Sequence, residues 1–107
     1  MIYEIDAKPV GIFCSHLEMQ WFCFLRQKMT QVSYVGHIDR WRDFVIEGVS
    51  VEVKPSAFSV DDIFDEVINR VPDGVHDLRL LIGSPAEYKF FHLNKNGQRK
   101  ELTNGFS

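Results

Sequence analysis

The chain has 107 residues, 45% of them hydrophobic and 13% aromatic, with a formal net charge of −3. That length leaves room for one domain, residues 1–107, and folding can bury about two-thirds of the unfolded surface, enough for a core without disulfide or metal staples. The slight negative charge gives no general pull toward nucleic acid or an anionic membrane, and the longest strongly apolar run, residues 21–25, is far short of the roughly 20 that cross a bilayer.

Residues 2–13 read as one or two short extended pieces, with Pro9 and Gly11 favouring an edge, a bulge or a turn. The acids Glu4 and Asp6 near the start do not fit a secretion signal, which predicts a cytoplasmic protein. Ser15 with Glu18 three residues on forms a capping-box pattern, predicting a helix over 16–30. Leu17, Trp21, Phe22, Phe24, Leu25 and Met29 share one side of it, and a strand through 21–25 is the competing reading of the same aromatic run.

Residues 30–38 read as a strand, and 44–54 as strongly extended. Within the latter the apolar phase slips by one at Gly48, as a bulge or a tight Glu47-Gly48 turn would produce. Ser59 with Asp62 starts a second helix, in which Val60, Ile63, Phe64, Val67, Ile68 and Val71 make one apolar stripe and Pro72-Asp73-Gly74 the stop. Residues 78–82 then read as a largely buried strand, and 87–93 with 98–103 as a hairpin turning at Asn96-Gly97; residues 104–107 should fray. The order predicts an α+β fold: one layer of antiparallel-rich sheet with two helices on one face, βαββαβ-like with a C-terminal β-hairpin.

No motif names a reaction, so candidate chemistry comes from local groupings. Cys14 and His16 flank a helix start, where a thiol's pKa falls and a histidine can act as base, but Glu18 already has a capping role and a lone cysteine is commonly a small buried hydrophobe. His37 and Asp39 would point the same way in an extended chain, so the carboxylate could orient the imidazole, although no nucleophile motif completes the pair. A solvated turn is the plainer reading of that link, and it serves better as a binding loop: Trp41 between Arg40 and Arg42 joins the two residue types that most often anchor interfaces.

In the C-terminal hairpin, Tyr88, Phe90 and Phe91 lie on a strand beside the basic residues Lys89, Lys95, Arg99 and Lys100, as on sheets that stack nucleic-acid bases, but the glycine-rich aromatic signature of such sheets is absent. Phe90 and Phe91 face opposite ways; with one sheet face uncovered, Phe91 becomes a dimer contact. Asp61, Asp62, Asp65 and Glu66 could meet a cation or a basic partner, and equally make the solvated side of an amphipathic helix. The seven glycines are dispersed, which excludes a phosphate-binding loop.

The leading expectation is a small non-enzymatic binding module, homodimeric, that takes a protein partner or a small apolar ligand through Trp41, Arg40, Arg42 and Phe91, with no cofactor and no metal. A small enzyme using His37 and Asp39, or Cys14 and His16, is the first alternative, and nucleic-acid binding through the basic hairpin the second.

Overall fold

The computed structural model describes residues 13–56 and 59–102. The expected first strand falls outside these apart from Phe13, as does the tail from 103 onward. The elements are helix α1 (His16–Lys28), strands β1 (Val32–Tyr34), β2 (Phe44–Ile46) and β3 (Val49–Lys54), helix α2 (Val60–Arg70), and strands β4 (Leu78–Ser84), β5 (Glu87–Leu93) and β6 (Arg99–Leu102). The strands form one sheet in the order β1-β2-β3-β4-β5-β6. All neighbours are antiparallel except β3 and β4, a parallel pair that needs a long crossover, which α2 supplies. The fold is therefore α+β, and its helices and strands follow the expected order.

Both helices begin where the sequence signals them. The Ser15 hydroxyl accepts the Glu18 amide at 3.2 Å and donates to the Glu18 carboxylate at 3.3 Å, while Ser59 accepts the Asp62 amide at 3.2 Å. The phase slip at Gly48 is a hairpin: Glu47 and Gly48 both have positive φ, 50° and 85°, as a type I′ turn requires. The strand expected over 30–38 is cut to three residues because the chain turns at Gly36, whose amide and that of Val35 both donate to the Asp43 carbonyl.

The expectation of two helices on one face fails, because the sheet is apolar on both. Leu78, Leu80, Ile82, Phe91 and Leu93 pack against Ile63, Phe64, Val67 and Val71 of the α2 segment. Leu81 and Phe90 of the same strands point the other way and join Phe44, Ile46, Val51 and Val53 against Trp21 and Leu25 of α1. Strand neighbours alternate faces, so a central strand with leucine on both sides must be covered twice. Trp21 is fully buried and its indole N–H donates to the Gly83 carbonyl at 2.9 Å, fixing α1 across the sheet. Among the described residues, no helix is long and apolar enough to cross a membrane.

Candidate functional site

The strands differ in length, and the difference makes a gap. β2 starts at Phe44, opposite Val51, while β3 runs on to Lys54, so residues 52–54 have no β2 partner. The loop 35–43 fills part of the space: Asp43 donates its amide to the Val51 carbonyl at 2.9 Å, and its carboxylate accepts the Val53 amide at 2.9 Å in place of a strand carbonyl. An unpaired buried amide is costly, so this bond explains how an acid comes to be buried there.

Around the gap lies a cavity of about 570 Å³ lined by Glu18, Gly36, Asp39, Arg40, Asp43, Glu52, Val53, Lys54 and Arg70. Glu18 reaches it from α1 and Arg70 from the end of α2, helices on opposite faces, so the cavity sits at the sheet's margin where the two sides meet.

Three carboxyl groups from three segments converge there. Tyr34 donates its hydroxyl to Glu18 at 2.5 Å and accepts the Cys14 amide at 3.0 Å. The Asp43 carboxyl neighbours both Glu52 and Glu18 and pushes each of them up. Burial, then the Asp43 carboxyl, push the Glu52 carboxyl up to about 10, so it is neutral at physiological pH. Burial also raises Glu18, against the lowering effect of the Tyr34 hydrogen bond, and burial raises the Tyr34 phenol itself.

The basic side chains of the lining are largely engaged elsewhere. Lys54 lies 2.8 Å from Glu66 and 4.0 Å from Glu52, and Arg70 lies 3.1 Å from Glu66. Arg40 is exposed. Asp39 pairs with Arg42 at 2.6 Å, and Arg42 also donates to Ser50 at 3.0 Å. With the amides of Ile38 and Asp39 donating to Val35 O, these bonds hold loop 35–43 in one shape, and Ile38 stands out from it 71% exposed.

The residues singled out in the sequence divide around this site. Arg40 and Asp39 line the cavity. His37 does not meet Asp39: the chain turns instead of extending, the acid is taken by Arg42, and the imidazole stacks on Tyr34 at 5.4 Å. Cys14 does not meet His16; its thiol donates to the Gly36 carbonyl at 3.5 Å, and His16 is exposed at the start of α1. Trp41 is half-buried against the α2 core with the Arg42 guanidinium 4.7 Å from its ring. Phe91, expected at a dimer contact, is an interior residue, 8% exposed and edge-on to Phe64, because α2 covers the face it occupies.

The hairpin's bases are partly consumed within the fold. Lys95 donates to the Ile68 and Val71 carbonyls at the end of α2, and Arg99 pairs with Asp61 and covers Phe64. No group of histidine, cysteine or acidic side chains among the described residues is arranged to hold a metal ion.

Glu52, Asp43 and Tyr34 were not visible as a site in the sequence. Glu52 alternates with valines as any outward polar residue of a strand would, but it shares a face with Leu80, its register neighbour on β4, on the side that α2 covers, and is buried there. No protein-family model matches the chain, and no curated protein or solved structure matches it either.

Proposed function

We propose that the protein is a non-enzymatic binding module whose contact surface is loop 35–43 together with the cavity beside it, and that its partner is another protein. The observation that carries this reading is Ile38: among the described residues it is the exposed large hydrophobic side chain, and it projects from a loop already held rigid by hydrogen bonds and the Asp39–Arg42 ion pair. A contact residue carried on backbone that is already held costs little loop ordering on binding. Arg40, exposed on the same loop, adds a charged contact of the kind enriched at interface centres. Trp41 supports the loop from behind, through its packing on the α2 core.

The lining is dominated by charged groups, which disfavours a small apolar ligand. The sheet face invoked for a homodimer is covered by α2, which favours a different protein over a second copy. The test is affinity capture from the native host with three forms of the protein: wild type, Ile38→Asp with Arg40→Glu, and a control with Lys89→Glu on the far strand β5. A protein retained by wild type and control and lost by the double variant is the expected outcome. The same set of proteins on all three, with unchanged circular dichroism, would overturn the reading.

A further inference from the structure

We propose that the sheet carries an anion seat on its α1 side, at Arg79, His92 and Lys100, and that its ligand is an organic phosphate monoester with a small apolar group. None of these residues lines the cavity beside loop 35–43. The register sets the three in a row: Arg79 of β4 is opposite His92 of β5, which is opposite Lys100 of β6. Residues opposite one another on paired strands share a face, and neighbouring strands lie about 4.8 Å apart, so the row spans about 10 Å. Its face is the one that α1 covers farther along, because Leu81 and Phe90, two positions away on the same strands, pack with Trp21 and Leu25.

The row is short of acceptors. One carboxylate oxygen, Asp77 Oδ1, stands against two of its members: Arg79 donates to it, and His92 Nε2 lies 2.9 Å from it. That second approach is off the hydrogen-bonding line, and the buried His92 nitrogen has no hydrogen-bond partner among the described residues. Lys100 is exposed and joins no ion pair among the described residues, since Glu101 beside it points to the opposite face with Phe91. A buried polar atom left without a partner calls for a group from outside the fold. Two permanent cations facing one shared acid make that group an anion.

The hollows on either side of the row give the anion its form. Around His92 and Lys100 a hollow of about 170 Å³ is lined also by Asn94, Gln98 and Arg99. Around Arg79 a second, of about 180 Å³, has apolar walls from Met29, Ile46, Val49, Val51 and Phe90, a volume that admits a benzene-sized group. Its acid, Glu47, accepts the Thr30 hydroxyl at 2.9 Å. A phosphate monoester brings nearly two negative charges and three acceptor oxygens, which suits a guanidinium, an ammonium and a ring nitrogen together better than a carboxylate does. It enters by taking the place of Asp77, whose side chain is 56% exposed and stands just before β4 begins.

Titration of the whole chain with phenyl phosphate, followed by amide chemical shifts, should show saturable binding with shifts at residues 79, 92 and 100. Benzoate, with the same ring and a single charge, should bind at least about fivefold more weakly, and Lys100→Gln, at an exposed position, should weaken phenyl phosphate by a similar factor. Arg79→Gln is the second variant and should weaken it at least as much. Asp77→Asn should instead tighten binding, because the competing carboxylate is gone; an Asp77 that only supported the strand would leave affinity unchanged or lower it. No saturation, shifts elsewhere, equal binding of benzoate, unchanged affinity in the folded Lys100 and Arg79 variants, or no tightening in Asp77→Asn would overturn the proposal. A short single-stranded RNA that bound more tightly than phenyl phosphate would also overturn it, by replacing the monoester with a nucleic-acid backbone.

Discussion

Gly36 has no room for a methyl group. A β-carbon there would come within 2.7 Å of both the Asp43 carboxylate and the Tyr34 hydroxyl, each of which is fixed by its own hydrogen bond, to the Val53 amide and to Glu18. Neither can withdraw without breaking that bond, so Gly36→Ala should destabilise the fold by about 1–3 kcal/mol, the usual cost of overpacking, in a urea unfolding curve. The effect should centre on the cavity, with amide shifts displaced at Val53 and Cys14 before any change on the far side of the sheet. Gly48, with nothing within 4 Å of where its β-carbon would stand, differs in kind: there the requirement is the positive φ of the turn.

Among the elements, α2 is the clearest in the sequence and the most self-sufficient in the structure. Its acids Asp61 and Asp62 stand in the first turn, Arg70 in the last, and the Ser59 hydroxyl accepts the Asp62 amide. Ser59→Ala should therefore lower global stability by about 1 kcal/mol, read as a shift in the urea midpoint with the slope unchanged. Helix α1 shows where legibility stops. Its start was given away by Ser15 and Glu18, yet the face of the sheet it covers was not, because one helix stripe can pack on either side of a strand that is apolar on both. Strand β4 carried that information: Leu78, Leu80, Leu81 and Ile82 cannot all be buried by helices on a single face. The Glu47-Gly48 turn was legible as one of two readings, and positive φ at both residues decides between them.

The site was less legible than the fold because it exists only where unlike segments end. Arg40 and Asp39 were found by residue type, whereas Glu52 becomes special through the shortness of β2 and its place on the face that α2 covers, neither of which a strand pattern records. Helix boundaries are encoded in a few consecutive residues; a cavity bounded by α1, α2, a loop and a strand overhang is encoded in none of them separately.

For the molecule as a whole, the buried acids set how stability responds to pH. A carboxyl whose pKa is raised on folding binds a proton that the unfolded chain has released, so its share of stability is complete below the unfolded value of about 4.5 and is lost as pH climbs toward about 10 for Glu52. Glu18 acts in the same direction, while the lowered pKa of Glu66 works the opposite way from an exposed position where solvent screens it. Thermal unfolding should therefore occur at progressively lower temperature as pH rises from about 5 to about 9, and Glu52→Gln should flatten that decline. An equally steep decline in the variant would locate the titration elsewhere.

The double-sided sheet also gives the molecule two built-in light sources. Trp21 lies in the core beneath α1 with its indole fully buried, and Trp41 leans on the core beneath α2 with a guanidinium over its ring. Each half of the interior thus carries its own tryptophan, one in an apolar setting and one beside a charge, and their emission distinguishes an interior that melts as a unit from one whose two halves part company.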